Sequence, residues 1–133
     1  MEFGTYLFFS GTCEEALKFY EETIGAKTEA VMKHAGTPSA EHVPAEWGDK
    51  VMHAKFKIGD SVVMASDVPP QQYAKPQGFS LSLGFKDAAD GEEIFNKLAA
   101  GGSVQLPFGP TFWAKGFGMC TDRYGIAWMV NCE

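Results

Sequence analysis

Hydrophobic and polar residues alternate most clearly along VMHAKFKI, residues 51 to 58. Met52, Ala54, Phe56 and Ile58 fall on one side, and Val51, His53, Lys55 and Lys57 on the other, which predicts a half-buried β-strand. Gly59-Asp60 then supplies a two-residue hairpin connection, and SVVMASD (61 to 67) the returning strand. Upstream, FGTYLFF (3 to 9) is a short continuous apolar run that predicts a buried strand. The period changes in SGTCEEALKFYEETIGA. Thr12 and Glu15 have capping-box spacing, Cys13, Ala16, Leu17, Tyr20 and Ile24 form one helical stripe, and Gly25 provides the stop. KTEAVMKHA (27 to 35) predicts another strand. GTPSAEHVPAEWGD (36 to 49) predicts a long loop of the kind that often serves as a lid or binding loop.

Residues 68 to 78, VPPQQYAKPQG, hold three prolines and little apolar content, and predict a connector. Beyond it the pattern repeats. FSLSLGF (79 to 85) alternates, with Ser80, Ser82 and Gly84 opposite Phe79, Leu81, Leu83 and Phe85. Asp87 or Asp90 can cap a second helix carrying Ile94, Phe95, Leu98 and Ala99 and ending at Gly101-Gly102. SVQLPF, 112 to 121 and 126 to 132 complete three more strands. The order is strand-helix-strand-strand-strand, twice, over 1 to 67 and 79 to 133. The helix starts Glu14-Glu15-Ala16-Leu17 and Glu92-Glu93-Ile94-Phe95 recur at nearly the spacing of the helix stops, a repeat of pattern rather than of identity. A sheet covered by a helix on one face leaves the other free. The polar faces His53/Lys55/Lys57 and Ser80/Ser82 therefore predict a wet cavity.

Composition narrows the function classes. The 133 residues fit one domain, with 45% hydrophobic and 21% charged residues. A net charge of −6, with Arg123 the only arginine, argues against nucleic-acid binding, which needs a basic footprint on the phosphates. Cys13, Cys120 and Cys132 are odd in number and form no CxxC pair, which predicts reduced thiols. The N-terminal MEFGTYLFFSG lacks the basic start and long apolar run of a signal peptide, and no stretch is long enough to span a bilayer. The expected location is cytoplasmic, with no membrane partner.

Three stretches, ALKFYEETIGA (16 to 26), VMHAKFKIGDSVVMASD (51 to 67) and TFWAKGFGMCTDRYGIAWMVN (111 to 131), resemble the vicinal oxygen chelate superfamily of glyoxalase I, extradiol dioxygenases and bleomycin- and fosfomycin-resistance proteins, in its PhnB-like branch. That branch often carries the label 3-demethylubiquinone-9 3-methyltransferase-like. No glycine-rich strand-to-helix loop of a dinucleotide or S-adenosylmethionine fold accompanies the label, and the glycines at 116 and 118 lie in a strand context. The resemblance implies an α+β fold in which paired βαβββ modules make a curved mixed sheet. It also implies a homodimer with a ligand cup. Metal-using members place His or Glu at four cup-facing positions. Carried over, these fall on Thr5, Met64, Ser80 and Met129, none a usual ligand for a hard or borderline divalent ion. No metal and no cofactor is expected.

Several residues are candidates for binding or chemistry. His53 is either a general base or anion contact, imidazole titrating ordinarily near about 6.5, or a cross-strand hydrogen-bonding residue. Lys55 and Lys57 either attract an anion or guard an edge strand, the latter expected for Lys57. Asp67 either holds a ligand or caps a turn. Trp47, Phe112, Trp113 and Trp128 are walls of an apolar pocket or plain core, with Trp47 the candidate lid. Asp122 and Arg123 are expected as turn residues, with Gly125 taking a positive φ. The expected function is metal-independent binding of a small, anionic organic ligand lined by His53, Lys55, Met64, Ser80, Ser82, Trp113, Met129 and Trp47, with any catalytic role falling to His53. The alternatives are a metal-dependent lyase, isomerase or dioxygenase related to glyoxalase I, and an antibiotic-sequestering dimer.

Overall fold

The computed structural model describes residues 1–133 as two compact units, Met1–Ala74 and Lys75–Glu133. The first contains strands β1 (Thr5–Phe9), β2 (Lys27–Lys33), β3 (Val51–Ile58) and β4 (Ser61–Asp67), with helix α1 (Cys13–Ile24) between the first two. The second contains β5 (Leu81–Phe85), helix α2 (Ala88–Ala99), β6 (Ser103–Gly109), β7 (Gly116–Thr121) and β8 (Ala127–Cys132). The sheet orders are β1-β4-β3-β2 and β5-β8-β7-β6. In both, the first and last strands of the unit run parallel and the other neighbours antiparallel. The fold is α+β with two mixed four-stranded sheets.

In the first unit one sheet face carries Leu7, Phe9, Ala54, Phe56, Val63 and Ala65, all buried with Ala16, Leu17 and Tyr20 of α1. Tyr20 stacks on Phe56 with ring centroids 6.2 Å apart. Burying each large apolar side chain stabilises by roughly 1.5–3 kcal/mol. In the second unit Trp128, Val130, Cys120 and Cys132 are buried together with Phe95 and Leu98 of α2. The helix lies so close that a Cβ on Gly118 would sit 2.7 Å from a Phe95 ring carbon. Glycine is required there for close approach.

Local patterns are overruled in several places. The run from residue 3 is not a fully buried strand. Tyr6 and Phe8 point away from the helix and are 37% and 51% exposed, while Leu7 and Phe9 are buried. Because both faces carry apolar residues, the period of two is hidden in sequence. Val51 is fully buried, contrary to the simple alternation, because the β2–β3 register shifts between Met32 and Lys33 and turns Val51 to the helix face. Lys57 is not an edge-strand charge: β3 is an inner strand, and Lys57 pairs with Glu29 at 3.9 Å. The loop 36 to 49 folds into 3₁₀ turns at Pro38–His42 and Ala45–Trp47. The expected strand at 112 starts only at Gly116, because Thr111 Oγ1 accepts the N–H groups of Trp113 (3.4 Å) and Ala114 (3.1 Å) and closes a turn. Asp87, not Asp90, caps α2, accepting from Ala89 N–H at 2.7 Å.

The capping box at α1 does not form, since the Thr12 side chain makes no cap hydrogen bond. Asp67, at the far end of β4, takes that role. Its Oδ1 accepts the N–H groups of Gly11 (2.8 Å) and Cys13 (2.9 Å), and its Oδ2 accepts Val51 N–H (3.0 Å). A carboxylate at a helix start is favoured by both the free N–H groups and the helix dipole. Asp122 acts alike within the β7–β8 turn, accepting Tyr124 N–H and Ile126 N–H at Oδ1 and Trp128 Nε1–H at Oδ2. Gly125 adopts φ 91° there, and the Arg123 guanidinium donates to Ala100 O. No helix is long and apolar enough to cross a membrane.

Candidate functional site: the open sheet faces

The faces turned away from the helices carry the candidate residues. In the first unit the ladder sets Tyr6 beside Met64, Met64 beside Lys55, and Lys55 beside Ala30. Gly4 belongs to the same face, since a Cβ there would sit 3.3 Å from Met64 Cε. Tyr6 reaches across β4, and its Oη lies 3.0 Å from His53 Nδ1. The two rings are tilted at 5.7 Å, and Phe8 packs on Tyr6 at 5.0 Å. Tyr6, Phe8 and His53 thus form an aromatic wall. With Nδ1 engaged, His53 Nε2 is the ring atom left for a ligand, as base or donor according to tautomer.

Lys55 is exposed and makes no ion pair, whereas Lys57 is partly neutralised by Glu29. A hollow of about 680 Å³ lies here, lined by Glu2, Phe3, Gly4, Lys55, Val62 and Met64. The unpaired Lys55 ammonium beside the apolar Phe3, Val62 and Met64 favours an anionic ligand with an apolar body, and Glu2, also in the lining, opposes it in charge.

In the second unit Ser82 stands beside Met129, and Met129 beside Met119. Ser80 lies just before β5 and is half-buried. Trp113 is 49% exposed and makes edge contacts with Phe112 (4.8 Å) and Phe117 (5.3 Å). Trp128 belongs to the core, with its indole N–H on Asp122. Trp47 lies at the β1–α1 corner, where a Cβ on Gly11 would meet its ring at 3.8 Å.

The structure assigns the first metal-equivalent position differently from the sequence count. Thr5 lies on the helix side, and Tyr6 is the residue facing out beside Met64. In the second unit Ser82, not Ser80, is the β5 residue beside Met129; neither the Tyr6–Met64 pair of the first unit nor the Ser82–Met129 pair of the second offers a carboxylate or an imidazole. The donor chemistry does not fit the superfamily's divalent metal. No group of three or more His, Cys, Asp or Glu gathers elsewhere. The thiols are also poor ligands. Burial, reinforced by the charges of Asp67 and Glu14, pushes Cys13 up to about 12. Burial and Asp122 push Cys120 up to about 11, and burial raises Cys132.

The family model described as 3-demethylubiquinone-9 3-methyltransferase matches residues 1–131. The chain belongs to this PhnB-like family. Protein YjdN of Escherichia coli is 35% identical over 98% of this chain and 95% of its own. The solved structure of protein PA1353 from Pseudomonas aeruginosa is 47% identical, covers 100% of this chain and 98% of that one, and superposes with a TM-score of 0.88. A Bacillus cereus structure described as a putative 3-demethylubiquinone-9 3-methyltransferase, PhnB protein, shares the fold at 23% identity, full coverage of both chains and a TM-score of 0.85. A glyoxalase-related enzyme from Fulvimarina pelagi shares it at 15% identity, covering 100% of this chain and 88% of that one, with a TM-score of 0.65. A domain from Frankia sp. EAN1pec described as glyoxylase/bleomycin resistance protein/dioxygenase also shares the fold, at 14% identity, covering 99% of this chain and 96% of that one, with a TM-score of 0.65. The α1 N-terminus, where a cofactor's anionic group would dock in a nucleotide-binding fold, is filled by Asp67.

Proposed function

We propose that this PhnB-like protein binds a small aromatic or apolar organic anion on the open face of its first unit, without the superfamily's metal. The observation that carries this reading is the unpaired Lys55 ammonium beside the Tyr6–His53 pair and the Met64 hollow. Lys55 supplies the counter-charge, His53 Nε2 a hydrogen bond, and Tyr6, Phe8 and Met64 the apolar contact. Ser80, Ser82, Met129 and Trp113 are the corresponding candidates on the second unit, and Trp47 is a candidate at the β1–α1 corner.

Thermal-shift measurements with benzoate and phenylphosphonate test it. Ligand at a hundred times its Kd stabilises by about 2.7 kcal/mol through mass action, so the melting temperature rises with concentration. Lys55→Met is expected to abolish the rise and leave the unliganded melting temperature unchanged. An absence of stabilisation by either anion, or an equal response in Lys55→Met, overturns the proposal. Stoichiometric nickel, zinc, iron or manganese in protein purified without chelator overturns its metal-free part.

The same proposal includes a cytoplasmic homodimer. All three cysteines are buried and unpaired, which suits a reducing compartment. Apolar residues stand exposed on one edge strand of each sheet, Val31 and Met32 on β2 and Val104 and Leu106 on β6, and a second copy is the simplest cover for them. Light scattering that returns a monomer mass at micromolar concentration refutes the dimer.

A further inference from the structure

The hollow of the first unit holds two opposite charges that do not meet. Glu2 and Lys55 are the charged residues of its lining, and both are exposed. The ion pairs of the chain are Lys33–Glu14, Lys57–Glu29 and Lys97–Glu93, so Glu2 and Lys55 are neutralised neither by each other nor by a third residue. The rest of the lining is apolar. Phe3, Val62 and Met64 supply the side chains, and a Cβ on Gly4 would lie only 3.3 Å from Met64 Cε, so glycine lets the chain run close to that wall. At about 680 Å³ the hollow has the size of a small-molecule pocket, roughly 300–1,000 Å³.

This charge pattern selects among ligands. A simple carboxylate is drawn to Lys55 and repelled by Glu2, and a simple amine meets the reverse. A ligand that carries both charges on neighbouring atoms matches both residues at once, and an apolar body on the same carbon matches the walls. We propose that the ligand of this hollow is an α-amino acid with an apolar or aromatic side chain. Its carboxylate lies on Lys55, its ammonium on Glu2, and its side chain against Phe3, Val62 and Met64. The inference rests on the reading of this face as a site for an organic anion, and it adds the ammonium group that Glu2 calls for. Glu2 thereby becomes a specificity-determining residue, separating amino acids from other carboxylates of the same size.

The test compares L- and D-phenylalanine with 3-phenylpropionate, which lacks only the ammonium, and 2-phenylethylamine, which lacks only the carboxylate, by calorimetry and by amide chemical-shift titration of the full chain. At least one phenylalanine enantiomer is expected to bind about two- to fivefold tighter than either analogue, the scale of one ion pair at an exposed site, with the largest shifts at Gly4, Lys55 and Val62. Glu2→Gln is expected to erase the difference between phenylalanine and 3-phenylpropionate. Lys55→Met is expected to weaken both carboxylates and to leave 2-phenylethylamine no weaker. Both residues are exposed, so neither variant threatens the fold. Binding of 3-phenylpropionate as tight as that of phenylalanine overturns the proposal, as do an unchanged preference in Glu2→Gln or shifts that avoid Gly4 and Val62. If benzoate and 3-phenylpropionate bind and phenylalanine gains nothing over them, this inference alone falls. If no carboxylate binds, the reading of the face as an anion site falls with it.

Discussion

Replacing Asp67 tests the central structural claim, that one buried carboxylate joins the end of β4 to the start of α1 and the start of β3. Asp67 is 3% exposed and accepts three N–H groups. In Asp67→Ala those donors lose their acceptor, and each buried N–H left unpaired costs about 1–3 kcal/mol. Gly11 N–H is only part-buried and water can partly replace its bond, so a total of about 3–5 kcal/mol is expected, a large share of the roughly 5–15 kcal/mol by which domains are stable. Asp67→Asn is the sharper variant because its shape is conserved. Its oxygen can keep Gly11 and Cys13, but its NH₂ then faces Val51 N–H, donor against donor. Loss of one charge-assisted bond puts the cost at about 1.5–3 kcal/mol. Urea unfolding, with the slope of free energy on denaturant unchanged, reads these values directly. Asp60→Asn, in the exposed β3–β4 turn, serves as control and is expected within about 0.5 kcal/mol of the parent. Thr12→Ala belongs to the same experiment. A working capping box makes it cost about 1 kcal/mol, whereas the structure, with no bond from the Thr12 side chain, predicts less than about 0.5 kcal/mol. An Asp67→Asn protein within about 0.5 kcal/mol of the parent, or a Thr12→Ala protein that loses a full kcal/mol, refutes the reasoning.

Two further predictions concern the core. The Cys13 thiol, pushed from 9.0 to about 12, keeps its proton in the folded chain where the unfolded chain loses it. The associated stability is therefore complete below about pH 9 and is lost as pH rises toward 12, by about 4 kcal/mol at about 1.4 kcal/mol per pKa unit. Denaturation between about pH 8 and 11 should show this fall, and Cys13→Ala should make it shallower, with Cys120 and Cys132, also raised by burial, supplying the remainder; an equally steep fall in Cys13→Ala assigns the effect elsewhere. Gly91 in α2 lies against Cys132, whose Sγ a Cβ would strike. Gly91→Ala is expected to destabilise by about 1–3 kcal/mol by overpacking, despite alanine's better helix propensity. The Cys132→Ala background should recover most of that loss, and strict additivity in the double-mutant cycle would contradict the contact.

Much of the fold is legible in local pattern because local geometry sets the period. The helix stripes of Leu17 and Tyr20 and of Phe95 and Leu98, the Gly59-Asp60 hairpin and the Gly125 turn are all readable from neighbours in sequence. The site was read less fully. His53 and Lys55 were placed on one face by alternation, and Met64 at a cup position by the family resemblance, but Tyr6 was missed. The run around it is apolar on both sides of the strand, so no period marks which side chain points out. The first metal-equivalent position was accordingly assigned to Thr5, one residue off, and a one-residue slip in a strand exchanges the two faces.

The sequence by itself determined the order of elements and the family. The tertiary structure alone decided that Tyr6 meets His53, that Asp67 rather than Thr12 caps α1, and that Val51 turns inward. The physical reason is the same in each case. Periodicity is a property of adjacent residues, whereas these outcomes are set by partners on other strands or by a register shift that no local pattern encodes: Tyr6 and His53 are 47 residues apart in the chain, and Cys13 and Asp67 are 54 apart.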